Sequence, residues 1–298
     1  MADSMTLRRG GWRYLIPNAL TATNLTFGSA SCFFSVSGNI YLAGWFVLLA
    51  VCFDRVDGAA ARALGATSRF GVEFDSLADL VSFGIAPAVL VFSALTLEVP
   101  LGYATAGWQR TLLFGCCAFY VAACAFRLAR FNVFAGSTGT KIYFGMPSPA
   151  SAATVVTATL VLLKYSRRDN VYPSWAADID LLGSLQLGSA VRTWFPLLPV
   201  LIGVLMVSSL KVPKMIPSKS RRGIYLGINM GLVYLFVLLR ILPEYLFFLA
   251  LQVIVVSFIY HFFWAEAREL SAGSVWDALT VPADPPENAN PASGDGPH

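Results

Sequence analysis

Apolar residues in this chain gather into about eight runs of roughly 17–25 residues, the length a helix needs to cross a hydrocarbon core. The runs are 15–37, 40–64, 71–97, 111–133, 148–163, 193–210, 223–239 and 244–264. The fifth is short and rich in Ala, Thr and Val, and the second and third turn polar at the ends that face each other. The pattern predicts an all-α polytopic membrane protein with about eight transmembrane helices. Residues 1–14, with Arg8, Arg9, Trp12, Arg13 and Tyr14, read as a juxtamembrane segment on an anionic membrane face. A secretory signal is disfavoured, because Pro17 and Asn18 interrupt the next apolar run and no small-residue cleavage site follows. Residues 15–264 form the expected transmembrane domain. The Pro-rich, acidic stretch within 265–298 cannot bury enough apolar surface to fold and is expected to be a disordered tail. No internal repeat is visible, which argues against transporter folds built from duplicated halves.

Lys and Arg set the expected orientation. Arg8, Arg9 and Arg13, then Arg69, then Arg130 and Lys141, then Lys211, Lys214, Lys219, Arg221 and Arg222 fall on one side of the alternating runs. The turn at Gly38 and Asn39, the 98–110 loop and the 240–243 turn on the other side carry little charge, while the 164–192 loop mixes both signs. Both termini are therefore expected in the cytoplasm, with the protein multi-pass in the inner membrane.

Composition agrees. Charged residues make up 13% of the 298, about half the usual 25% of a soluble domain. The net charge of +4 comes from basic residues between apolar runs, and no basic tract interleaved with aromatics points to nucleic acid. Cys32, Cys52, Cys116, Cys117 and Cys124 lie in or beside apolar runs without a C-x-x-C pair, so they read as buried thiols. With His261 and His298 the only histidines, a His-based metal site or triad is not expected.

One stretch breaks the apolar pattern. Residues 53–87 carry Asp54, Asp57, Asp75 and Asp79 inside sequence that is otherwise membrane-like. A charged side chain at a bilayer centre costs about 2.5–3.5 kcal/mol on insertion scales, so four need a reason. As helices, the second run puts Asp54, Asp57, Gly58 and Ala61 on one face, and the third puts Gly71, Asp75, Asp79 and Ser82 on one stripe. A short loop makes the two helices antiparallel neighbours. Gly58, Ala61 and Gly71 let their backbones approach closely. The four carboxylates then converge near the cytoplasmic end and cannot stay unpaired. Arg55 is on the wrong face and Arg62 offers one charge. Two divalent cations would supply the rest, and hard oxygen ligands without His or Cys suit Mg²⁺ or Mn²⁺. Such a pair serves in-line displacement at phosphorus. Arg62 would then neutralise a diphosphate, and Asp79, deepest in its run, is the candidate general base. The other reading of the same residues is structural ion pairing, or the ion path of a cation transporter.

The spacing Asp54-x2-Asp57-Gly58-x2-Ala61-Arg62-x8-Gly71-x3-Asp75-x3-Asp79 resembles the signature of the CDP-alcohol phosphatidyltransferases at every defining position. The resemblance implies that fold, and transfer of a phosphatidyl group from CDP-diacylglycerol to an alcohol with release of CMP. It implies that Asp54, Asp57, Asp75 and Asp79 hold two divalent ions and that Asp79 also acts as general base. It further implies that Gly58, Arg62 and Gly71 serve CDP-diacylglycerol binding, with Asn18 and Thr21 of a Pro-Asn-x-x-Thr element and the loop hydroxyl of Ser68. A homodimer is also implied.

Residues 127–132, 145–150, the stretch after Asp75 and the end of the sixth run are similar to the phosphatidylserine synthase branch, and the likeness covers about 16–214. That branch implies L-serine as acceptor. Arg127 and Arg130, three apart on one face, with Asn132 nearby, would bind the serine carboxylate. Glycerol 3-phosphate, an inositol phosphate or choline are the alternative acceptors.

Overall fold

The computed structural model describes residues 11–66, 68–98, 107–135, 142–166, 181–183, 187–213 and 221–264. The basic segment before residue 11, the expected tail after 264, Lys141, Lys214, Lys219 and residues 167–180 lie outside them.

A helix stands at each predicted run. Helix α1 (Gly11–Val36) and α2 (Ile40–Leu64) form an antiparallel hairpin across Gly38, whose φ of 83° lies in the left-handed region that suits glycine. Asn39 caps α2, its side chain accepting from the Leu42 N–H at 3.2 Å. Aromatic rings interlock the pair. Phe34 stacks on Phe46 at 5.3 Å, and Phe27 meets Phe53 edge-on at 5.1 Å.

The third run is helical throughout but not uniformly α. Helix α3 (Arg69–Asp79) passes into a π-helical turn (Leu80–Ile85), then α4 (Ala86–Ser93), then a second π turn (Ala94–Glu98). Helix α5 (Trp108–Ala135) returns towards the level of α3, and α6 (Ser148–Lys164) runs back again. The sixth predicted run is split. A short α7 (Ser189–Trp194) precedes α8 (Leu197–Val207), which begins after Pro196 and ends where Ser208 turns extended, with ψ of 161°. That turn frees the chain to pair. Strand β2 (Lys211–Pro213) bonds antiparallel to β1 (Ile142–Phe144), with Tyr143 opposite Val212. Helices α9 (Arg221–Leu239) and α10 (Pro243–Trp264) complete the described chain.

The core lies where α2, the third run, α5, α6 and α8 meet, around the fully buried Trp45, Phe83, Tyr120, Leu160, Ile202 and Met206. Close backbone approach is required at Gly44, where an added Cβ would stand 2.8 Å from Leu160 Cδ2. The outside is apolar too, with Phe33, Phe70, Leu77, Phe114, Phe126, Leu201 and Leu238 exposed. An apolar exterior of that kind suits lipid better than water. Among the described residues, two helical segments, Arg69–Leu97 and Trp108–Val133, are long and apolar enough to cross a membrane. The five cysteines are free thiols, all buried except the half-buried Cys32.

Candidate active site

The hairpin between α2 and α3 builds the site. Helix α2 ends at Gly65, whose φ of 58° places it in the left-handed region and turns its N–H back onto the Ala61 and Arg62 carbonyls. Ser68 then starts α3 in extended conformation, its Oγ accepting from the Gly71 N–H at 3.0 Å. Ser68 is therefore an N-cap whose O–H is still available to a ligand.

On this hairpin, carboxylate oxygens of Asp54, Asp57 and Asp75 lie within 4.8 Å of one another. Asp57 is buried, and Asp54 and Asp75 are half-buried. Asp79 is 8% exposed, contacts Asp54, and leaves Oδ1 without a hydrogen-bond partner. All these donors are hard oxygens that meet from two helices. A buried carboxylate oxygen with no donor beside it is what a cation would satisfy, so the residues fit a divalent metal.

Helix α1 closes the site from one side. The Thr21 hydroxyl stands 3.1 Å from Asp57 Oδ2 and 3.1 Å from the Pro17 carbonyl. Asn18 Oδ1 faces the start of α3, 3.3 Å from where a Cβ on Gly71 would be. The exposed Arg62 folds back over Gly58, its Nη1 3.4 Å from a Cβ placed there. Arg55 is exposed, yet its charge still reaches Asp54.

The far ends of α5 and α8 supply the other wall. Arg127 is buried, donates to Ser148 Oγ at 2.6 Å, and lies close enough for its charge to act on Asp54 and Asp79. Arg130 is also buried, but its guanidinium meets the end of α8. Nη1 donates to the Val207 carbonyl at 3.0 Å, and Nη2 to Met206 and Ser208 at 3.3 Å each. Those carbonyls have no partners within the helix, and Arg130 supplies them. Gly145 is forced by the same contact, since its φ is 73° and a Cβ would sit 2.1 Å from the Met206 carbonyl. Asn132 Nδ2 donates to Ser76 Oγ at 3.0 Å, which ties the end of α5 to the residue beside Asp75. Sequence reasoning brought the four aspartates, Asn18, Thr21 and Arg127 to one place. It missed Ser148 as the partner of Arg127, which no spacing along one helix reveals.

Residues 14–205 match the family described as CDP-alcohol phosphatidyltransferase. The CDP-diacylglycerol–serine O-phosphatidyltransferase of Helicobacter pylori is 34% identical over 200 residues, 67% of this chain and 72% of that protein. The archaetidylserine synthase of Methanothermobacter thermautotrophicus is 34% identical over 173 residues, 57% of this chain and 68% of its own. A CDP-diacylglycerol–serine O-phosphatidyltransferase of Mycobacterium leprae is 34% identical over 157 residues, 51% of this chain and 48% of its own. The aspartate hairpin, the helix that closes over it and a match across most of the helical body agree: the chain belongs to the CDP-alcohol phosphatidyltransferase family.

Proposed function

We propose that this enzyme transfers the phosphatidyl group of CDP-diacylglycerol to the hydroxyl of L-serine, giving phosphatidylserine and CMP. The observation that carries the reading is the convergence of Asp54, Asp57 and Asp75 beside the buried Asp79. The names of the relatives favour serine among the acceptors.

Asp54, Asp57, Asp75 and Asp79 would hold two divalent ions, Mg²⁺ or Mn²⁺. Bound there, the ions supply positive charge against the diphosphate. Asn18, Thr21, Gly58, Ser68 and Gly71 shape the CDP-diacylglycerol site, and Arg62 adds its guanidinium to the diphosphate charge. Asp79 takes the proton of the serine hydroxyl as that oxygen bonds to the β-phosphorus, the one bearing diacylglycerol. The bond from that phosphorus to the bridging oxygen breaks, and CMP leaves with the electron pair. Arg127 with Ser148 binds the serine carboxylate, while Arg130 and Asn132 hold the wall that presents Arg127.

The same reading extends to the whole chain. It places an eight-span catalytic domain at 15–264, between a juxtamembrane segment at 1–14 and a C-terminal segment at 265–298. The spacing of Lys and Arg supports an inner-membrane orientation with both termini and the site cytoplasmic, and the family likeness supports a homodimer. The test is purified protein with CDP-diacylglycerol, labelled serine and Mg²⁺ or Mn²⁺. Labelled phosphatidylserine and equimolar CMP are expected, neither forming when the metal is chelated. CMP release with glycerol 3-phosphate, an inositol phosphate or choline but not serine would move the chain to another acceptor.

A further inference from the structure

We propose that Tyr120 is a positioning residue for Asp79, acting through the π-helical turn that follows it. The proposal rests on reading Asp79 as the general base.

The turn has an identifiable cause. In an α-helix the Phe83 carbonyl would accept from the N–H of residue 87, but that residue is Pro87, which has no N–H and whose ring crowds the carbonyl four residues back. The chain widens instead. From Leu80 to Ile85 it is π-helical, and the Ala86 N–H reaches the Val81 carbonyl. A π turn inside an α-helix is an uncommon arrangement that recurs at functional sites. Here it begins one residue after Asp79.

Tyr120 serves the displaced carbonyl. Its hydroxyl donates to the Phe83 oxygen at 2.8 Å from a fully buried position on α5. On the same face of α5, Cys124 packs against Gly84, its Sγ 3.4 Å from where a Cβ would be, and Arg127 brings its charge to Asp79. The opposite side of the turn is gripped as well. Ser82 Oγ donates to the Asn24 carbonyl of α1 at 3.0 Å, and Gly28 leaves room for the Ser82 backbone, whose Cα is 2.7 Å from a Cβ placed there. Asp79 Oδ1 makes no hydrogen bond of its own. Besides the contact with Asp54, the aim of that carboxylate depends on the backbone beneath it, and the Tyr120 hydroxyl from α5 bonds this backbone.

A buried tyrosine usually finds some partner for its hydroxyl, so the experiment must separate positioning from mere satisfaction. Tyr120→Phe, Pro87→Ala, the double variant and Asp79→Asn are purified in lipid. Thermal midpoint, Mn²⁺ binding by spin resonance, and kcat and KM for both substrates are measured. Tyr120→Phe is expected to keep Mn²⁺ binding and the KM for CDP-diacylglycerol while losing about tenfold in kcat, the effect of a small misalignment of the base. Pro87→Ala returns an N–H to the Phe83 carbonyl, so adding Tyr120→Phe to it should cost little further kcat. Unchanged kcat in a folded Tyr120→Phe, or kcat and KM worsening together with Mn²⁺ binding, overturns the proposal. If Tyr120→Phe does not fold, the Pro87→Ala pair decides, and a double variant with far lower kcat than Pro87→Ala alone overturns it. Full turnover by Asp79→Asn would sink the base reading itself. An inactive Asp79→Asn beside a normal Tyr120→Phe would sink only this inference.

Discussion

Asp57 and Asp79 belong to one cluster, yet their neighbours give them different work. Asp57 has an oxygen tied to the Thr21 hydroxyl, which suits it to the proposed role of an anchored metal ligand. Asp79 keeps an oxygen without a donor, which leaves its carboxylate open to a cation and, in the proposed mechanism, to the serine proton. Asp79→Asn, nearly the same shape without a basic oxygen, should cut turnover by roughly 10²–10⁴-fold, the usual weight of general acid–base catalysis. Single-turnover CMP release, with lipid binding measured separately, checks it, and undiminished release would remove Asp79 as base. Thr21→Val tests the anchor. Losing a hydrogen bond to a charged group costs roughly 1.5–3 kcal/mol, so the Mg²⁺ or Mn²⁺ concentration for half-maximal rate should rise at least tenfold with saturated kcat little changed. Both residues were legible in the sequence because carboxylates are conspicuous in apolar runs and Pro-Asn-x-x-Thr stands one element away. Which aspartate is anchored and which is open was not legible, since that depends on a contact 36 residues apart.

Helix spacing predicts what shares a face, not what the face meets. Arg127 and Arg130 do lie together on α5, as their interval of three demands, but their heads diverge. Arg127 turns to Ser148 and the aspartates, whereas Arg130 closes the carbonyl end of α8. The partner of Arg130 is 77 residues away along the chain, and only the packed fold brings it there. The π turn was hidden in the same way. Pro87 is visible in the sequence, but helix, kink and π turn are all answers to a proline, and the neighbouring Tyr120 bonds the carbonyl left free. The two arginines should therefore separate kinetically. Arg127→Met should raise the KM for serine while leaving the KM for CDP-diacylglycerol unchanged. Arg130→Met should lower the thermal midpoint, each lost charged hydrogen bond costing roughly 1.5–3 kcal/mol of stability, with a normal serine KM in the protein that stays folded. A serine KM raised equally by both would return Arg130 to the acceptor site.

Across the whole molecule, the catalytic hairpin sits at one end of the bundle and a second buried ionic cluster at the other. Glu244, in the first turn of α10, is fully buried, and its Oε1 accepts from Lys164 Nζ at 2.5 Å and from the Tyr165 hydroxyl at 2.7 Å. Both donors end α6, the helix that begins at Ser148 beside Arg127. Nearby, the Tyr41 hydroxyl at the start of α2 donates to the Arg240 carbonyl at 2.7 Å, pinning the turn before α10. The last two helices, which lie beyond the family match at residue 205, are thus fastened to the catalytic bundle at the end remote from the chemistry. Sequence alone shows Glu244 only as an acidic residue at a helix start, where it suits the helix dipole, because Lys164 is 80 residues away. Removing one member of a buried ion pair costs about 3–5 kcal/mol, since the other charge stays buried and unpaired. Glu244→Gln should therefore lower the thermal midpoint sharply and loosen α9 and α10 first, seen as faster proteolysis or hydrogen exchange there. Lys164→Met/Glu244→Met, which removes both charges, should recover much of the loss. Because the cluster touches neither Asp79 nor Arg127, kcat per folded molecule should hold in either variant. A Glu244→Gln protein that is stable but slow would instead tie this cluster to the reaction.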